Sequence, residues 1–333
     1  MKKIITAIIV LLLFGATARL HAQVDPHFSQ YYAYPLWLNP ALTGVIDGQT
    51  RINGNFKEQW SNLPKGYKTG GISLDTRASD KVGLGFNIIN QAAGTAGYNY
   101  FAAYGSFGYG VAISADGTQK LHFGVQAGLI NRSFDPSKLQ LDNQYTPGGG
   151  YDPNLPTFEN FSSTSATVFD ASAGVFYFDG DPMHTANVFL GASLAHLTSP
   201  TDPFATTGGI NSKIPYRFNV HGGVKIKATD DFDITPHAVY ISQQKNNIKA
   251  LGIYSELKLD DENGLILGGM YRLGDAAVAN AGYHVKSLVI GMSYDFNVSQ
   301  LRTATNGMGG FELSISYIFR KHAVNPAEVC PRF

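Results

Sequence analysis

LHFGVQAGL, residues 121–129, sets Leu121, Phe123, Val125, Ala127 and Leu129 against His122, Gly124, Gln126 and Gly128. An apolar residue at every second position is the period of a β-strand with one apolar face. The pattern returns in RFNVHGGVKIK (217–227), where Phe218, Val220, Val224 and Ile226 oppose Arg217, Asn219, His221, Lys225 and Lys227. It returns again in LVIGMSYDFNV (288–298), where Leu288, Ile290, Met292, Tyr294, Phe296 and Val298 oppose Gly291, Ser293, Asp295 and Asn297. A sandwich also alternates, so length decides. Runs of about ten residues exceed the ~5–6 typical of globular sheets and suit a tilted strand that crosses a bilayer.

Working outward from these runs, fourteen strands are expected, centred near Asn55, Ile72, Phe86, Gly105, Val125, Ala171, Ala192, Val220, Ala238, Ile253, Gly269, Ala279, Met292 and Ile315. An even count fits a bacterial single-chain barrel. The connections sort by length. Short turns fall at 77–81, 114–119, 179–186, 228–230, 260–263 and 284–287, whereas the long stretches 131–163, 198–215 and 299–309 all lie at the other end. The fold class expected is therefore all-β: a transmembrane antiparallel up-and-down β-barrel of about fourteen strands, with an aromatic N-terminal segment and a short C-terminal tail.

Composition agrees with that class. Lys plus Arg equal Asp plus Glu at 25 each, and charged residues are 15% of the chain, so no nucleic-acid partner is expected. One cysteine, Cys330, excludes an internal disulfide framework. Lys2 and Lys3, the apolar run Ile4–Phe14 and the small residues before Gln23 read as a secretory signal peptide, cleaved after Ala22 or Ala18. The apolar run is about half of the ~20 residues a spanning helix needs. The expected organisation is a signal peptide at 1–22, an aromatic and proline-rich segment at 23–48, an outer-membrane barrel at 49–320 and a periplasmic tail at 321–333.

The segment contains DPHFSQYYAYPLWLNPALTG (25–44), with Phe28, Tyr31, Tyr32, Tyr34 and Trp37 crowded among Pro26, Pro35 and Pro40. Its prolines rule out a long helix or a central strand, and its aromatics are too many for a solvated linker. Two readings stand. The rings pack as a plug in the periplasmic mouth of the barrel or across its base, or they form a docking surface for a periplasmic partner.

The last strand, FELSISYIF (311–319), puts Phe311, Leu313, Ile315, Tyr317 and Phe319 on one face, an apolar alternation like the terminal signal strand of outer-membrane proteins. Ser314 and Ser316 fall on the other face, where a charge is expected to be tolerated. Catalytic chemistry leaves little trace. GxSxG, HExxH, paired-cysteine and GxxxxGK[ST] patterns are missing, and the nine histidines make no metal-spaced pair. His221 and His237 are expected to face the lumen as solvated groups, and the glycines of GLGFNI (83–88) to permit bends or close backbone approach. Neither enzyme activity nor a cofactor or metal is expected.

The sequence resembles the PorP/SprF family of outer-membrane proteins of the Bacteroidetes type IX secretion system. DPHFSQYYAYPLWLNPALTG, RINGNFKEQW (51–60) with Tyr67, YRLGDA (271–276), GMSYDFNVSQL (291–301), GGFELSISYIF (309–319) and the final CPRF carry the resemblance over essentially the whole mature chain. It implies a fourteen-stranded barrel that works with a periplasmic ring and a motor-driven translocon in protein secretion and gliding motility. The implied partners are periplasmic and outer-membrane type IX secretion components, outer-membrane lipid, and secreted adhesin-type cargo with a C-terminal sorting domain, whose export or surface anchoring it assists. A passive diffusion porin is the alternative that barrel size alone allows.

Overall fold

The computed structural model describes residues 25–62, 65–146, 148–157, 163–201, 213–260 and 262–320. The expected leader at 1–22 and tail at 321–333 lie outside the described residues. Fourteen long strands dominate: β1 Thr50–Gln59, β2 Tyr67–Arg77, β3 Val82–Ala93, β4 Tyr98–Ala112, β5 Gln119–Ser133, β6 Ser165–Asp179 and β7 Ala186–Ala195. The second half is β8 Arg217–Lys227, β9 Phe232–Gln243, β10 Asn246–Lys258, β11 Asn263–Arg272, β12 Ala276–Val285, β13 Leu288–Asn297 and β14 Met308–Phe319. Each strand pairs antiparallel with its sequence neighbours, and β14 closes on β1 with Leu313 opposite Phe56. The chain is a closed up-and-down barrel, and every expected strand centre lies inside one of its strands.

Closure follows from the alternation read in the sequence. In β5, Phe123, Val125 and Leu129 point outward while His122 and Gln126 are buried inside. Across the barrel Ile72, Phe86, Leu251, Ile253, Leu267 and Met292 form an exposed apolar band. So large an exposed apolar surface requires a lipid environment. A barrel also removes the open sheet edge that lipid does not tolerate. The ladders are not uniform: the β13–β14 register shifts between Asp295 and Phe296, and the β8–β9 ladder skips from Gly223–His237 to Ile226–Ile234. Pro236 lies in that gap and has no N–H to donate.

The connections sort as expected. At one end the links 78–81, 113–118, 180–185, 228–231, 259–262 and 286–287 are all short. The opposite end carries 134–164, 196–216 and 298–307. The longest is shorter than the sequence suggested, because β5 and β6 stay paired out to Ser133–Ser165. Between them lie two 3-10 turns and a small hairpin that pairs Tyr145–Thr146 with Gly150–Tyr151.

Candidate functional site

The lumen is occupied along its length by residues 25–46, which turn the barrel into a packed body. Within this segment the prolines act as helix starters. Pro35 opens the single turn Pro35–Leu38 and Pro40 opens the 3-10 turn Pro40–Leu42, positions where a missing N–H costs nothing. Asn39 Oδ1 accepts from Ala41 N at 2.9 Å and caps the second turn. The Trp37 indole donates to the Pro26 carbonyl at 2.8 Å and ties the two limbs of the segment together. Phe28, Tyr34, Leu36, Leu38, Leu42, Val45 and Ile46 are buried. Each such side chain contributes roughly 1.5–3 kcal/mol of apolar burial.

The path runs from the long-loop end to the short-turn end. At the long-loop end Asp25 Oδ2 accepts from His196 Nε2 (2.6 Å) and Arg217 Nη1 (3.0 Å), while Asp25 N donates to Gln243 Oε1 (2.9 Å). His196 Nδ1 lies 2.9 Å from Asp170 Oδ2, which also accepts from the Tyr104 hydroxyl. Burial alone would raise the Asp25 carboxyl, but the His196 imidazolium, its hydrogen bond and Arg217 outweigh burial and hold it below the usual carboxylate range. Burial alone would lower His196, yet the Asp25 charge and the hydrogen bonds that the ring donates to Asp170 and Asp25 push it up to about 9. Arg217 also donates to the Trp37 carbonyl at 3.1 Å and stacks 4.5 Å above the Trp37 ring.

Below this node, Ser29 N and Gln30 N both donate to the Glu312 carboxylate, at 2.6 and 3.0 Å. The Ser29 hydroxyl joins Lys57, Arg272 and Asp295. At mid-height Tyr31 meets His237 Nδ1 at 2.5 Å, Tyr34 donates to the Ile72 and Ile88 carbonyls, and Asn39 reaches His221. Near the short-turn end Gly44 N donates to Asp75 Oδ2 at 2.9 Å, and Arg51, paired with Asp75, donates to the Leu42 carbonyl. Wall glycines make the room: a Cβ at Gly83 would sit 2.3 Å from the Thr43 oxygen, and one at Gly124 would sit 2.2 Å from the Pro40 carbonyl carbon.

The five aromatic residues singled out in the sequence all lie in this segment but pack in two groups, Phe28, Tyr34 and Trp37 in one and Tyr31 with Tyr32 in the other. Phe28, Tyr31, Tyr34 and Trp37 are buried and Tyr32 is half-buried, its hydroxyl accepting from Asn280. They are not confined to the short-turn mouth or the base. The chain can run the whole bore because inward glycines leave it backbone-sized space. His221 and His237 do face inward, but both are buried against the segment rather than solvated. Ser314 is likewise buried, donating to Gln30 Oε1 at 3.0 Å, so a charge there would meet packed atoms rather than water. Phe311, Ile315, Tyr317 and Phe319 are exposed on the outer face, and Leu313 lies on the same face, half-exposed. Among the described residues no group of His, Cys, Asp and Glu is arranged to hold a metal. Sequence reasoning missed Asp25, His196 and Arg217; no local motif marks them, because they come from three separate parts of the chain.

A fourteen-stranded barrel with an apolar outer belt and a filled polar lumen defines an outer-membrane protein. The chain belongs to the family described as type IX secretion system membrane protein PorP/SprF, whose profile matches residues 20–317. It is thus an outer-membrane component of the type IX secretion system, in a family of secretion proteins. No curated protein matches the sequence significantly. Among solved structures, the Ralstonia pickettii toluene transporter TbuX is similar with a TM-score of 0.51 at 10% identity, over 86% of this chain and 93% of that one. The P. putida toluene transporter TodX (TM-score 0.47, 12% identity) and a Pseudomonas aeruginosa FadL homologue (0.46, 13%) each match over 85% of this chain and 93% of their own. At such identities the likeness is one of fold alone.

Proposed function

We propose that this barrel assists export or surface anchoring of secreted adhesin-type cargo by protein–protein binding, and that it does not conduct solutes. The observation that carries this reading is the filled lumen: residues 25–46 hydrogen-bond to the wall from Gln243 at one end to Asp75 at the other. A diffusion porin needs that space for solutes. The burial of Phe28, Tyr31, Tyr34 and Trp37 favours a plug role for the aromatic segment over a docking surface. In outer-membrane barrels the short turns face the periplasm and the long loops the exterior. On that orientation the loop at 134–164 meets cargo, while the short-turn rim meets periplasmic secretion components.

Two measurements on one set of strains test the proposal. Deleting the gene should release a cargo bearing a C-terminal sorting domain from the cell surface, or block its export. Shortening the loop at 134–164 should reproduce that loss while the barrel still shows its heat-modifiable gel shift. Purified wild-type protein in a planar bilayer should show no steady conductance. Normal cargo retention in the deletion strain, together with a large constant conductance, would overturn the reading in favour of the porin.

A further inference from the structure

The outer face of the wall is not evenly clad. Across β7 to β10 the register sets Leu190 beside Gly222, Gly222 beside Ala238 and Ala238 beside Leu251, so two small residues lie between two leucines at one height. All four face away from the lumen, because the positions that alternate with them, Phe189, His221, Val239 and Ala250, are the buried ones. Leu190 and Leu251 are 55% and 63% exposed and form the two sides of an open groove of about 600 Å³. No residue of the luminal segment borders it. Val188 and Val224 continue the groove to where the β8–β9 ladder skips, and Val220, Tyr240 and Lys249 bound it on the long-loop side. Three rows of outward residues, two positions apart, make it roughly 14 Å long.

The long-loop end of the groove is cationic. The β9–β10 hairpin from Tyr240 to Leu251 carries Lys245 and Lys249 and no Asp or Glu. Both lysines are exposed, and among the described residues neither has an ion-pair partner. Other lysines at this end are answered: Lys68 by Glu58 at 3.4 Å and Lys138 by Asp135 at 2.8 Å. Tyr240, held to Asn247 at 3.0 Å, and Tyr271 are exposed at the same height, which is the aromatic girdle that marks the membrane interface. An apolar groove that runs from the interface into the belt, with unanswered cations at its mouth, has the charge and polarity of a lipid with an anionic head. With the long loops outside the cell, that head lies in the outer leaflet.

We propose that this groove binds a phosphorylated, acylated glycolipid of the outer leaflet. One acyl chain lies between Leu190 and Leu251 over Gly222 and Ala238, and a head phosphate accepts from Lys249, with Lys245 reaching the headgroup further out. The site uses the orientation of the barrel but not its cargo role, and its test does not use secretion as a readout.

The probes are lipid A with two phosphates, the same lipid with its phosphates removed, and dipalmitoylphosphatidylglycerol, each added to the full-length protein in detergent and read by native mass spectrometry. The phosphorylated glycolipid should bind most tightly. The phosphate-free form should bind roughly thirtyfold more weakly, as two lysines lose their partner, and phosphatidylglycerol roughly fivefold more weakly, as its single phosphate engages one. Lys249→Gln should weaken the phosphorylated glycolipid roughly fivefold and leave the phosphate-free form unchanged, whereas Lys68→Gln should change neither. Ala238→Phe, which puts a ring on the groove floor from the lipid side, should weaken both forms roughly tenfold. If Ala238→Phe does not give a heat-modifiable barrel, Leu251→Ala removes one side of the groove in its place, and the comparison of lipids on the unaltered protein stands by itself. Equal binding with and without phosphate, or equal effects of Lys249→Gln and Lys68→Gln, would overturn the proposal, as would unchanged binding in the groove variant. Phosphatidylglycerol binding as tightly as the glycolipid would overturn the assignment to a glycolipid.

Discussion

Asp25→Asn should loosen the outer end of the luminal segment without disturbing the barrel. The Asp25 carboxylate takes charge-assisted hydrogen bonds from His196 and Arg217 at 2.6 and 3.0 Å, and all three side chains are buried. Arg217 has no other carboxylate partner among the described residues. Neutralising Asp25 therefore leaves a buried guanidinium without its counter-charge, at a cost of about 3–5 kcal/mol. That corresponds to a change of roughly two hundred- to several thousandfold in the equilibrium between seated and released segment. No strand ladder includes Asp25, so the heat-modifiable gel shift should stay as in wild type. In planar bilayers the variant should show brief openings where the wild type is silent, and His196 should titrate lower once one of its two carboxylates is gone. A variant as silent as wild type, with His196 unmoved, would refute the view that this node holds the segment.

Deleting residues 25–46 should give a constantly open pore, because fourteen strands at ~4.7 Å spacing and ~40° tilt enclose a backbone cylinder of roughly 14 Å radius; a silent deletion variant would show that the outer loops close the bore. Alkaline pH should mimic Asp25→Asn. The His196 value is raised from 6.5 to about 9, so its stabilisation, roughly 3 kcal/mol, is complete below 6.5 and lost as pH rises through 9; openings in the bilayer recording should appear across that window. Asp25 behaves oppositely, its contribution being present at neutral pH and lost only in strong acid. Ile315→Lys should cost about 2–4 kcal/mol of barrel stability in urea-dependent gel-shift titrations, as a charge facing mid-membrane lipid. Trp37→Ala should cost about 3–5 kcal/mol of segment packing and, like Asp25→Asn, show up as bilayer openings in an intact barrel.

The barrel was legible because its signals are local. Period-two alternation in Leu121–Leu129 or Leu288–Val298 needs no knowledge of the rest of the chain, and turn length sorts the ends without reference to packing. The segment was half legible. Its composition says that Phe28, Tyr34 and Trp37 must be buried, but where they go depends on Gly83 and Gly124, whose absent side chains leave space only once strands far apart in sequence close around them. Inward histidines were misjudged for a related reason. A polar residue on the lumen face reads as solvated, and His237 is dry only because Tyr31 arrives from more than two hundred residues away.

The charge pattern of the lumen argues that wall and segment are separable parts. Most of the buried wall charges answer one another: Arg51 with Asp75, Lys57 and Arg272 with Asp295, and Lys225 with Asp233. Between Asp25 and Ile46 the segment contributes a single carboxylate and meets the rest of the wall through rings and through backbone and hydroxyl groups, several of them hydrogen-bonded to wall charges such as Arg51, Lys57, Asp75 and Arg272. Only Arg217, which pairs with Asp25, and Glu312, which accepts from Ser29 and Gln30, are answered mainly by the segment. Removing it therefore strands two buried charges, both able to take water in an opened bore, rather than a whole network. A wall built to be nearly self-sufficient tolerates loss of its filling, which is why the conductance of segment variants reports on the segment and not on a collapsed barrel.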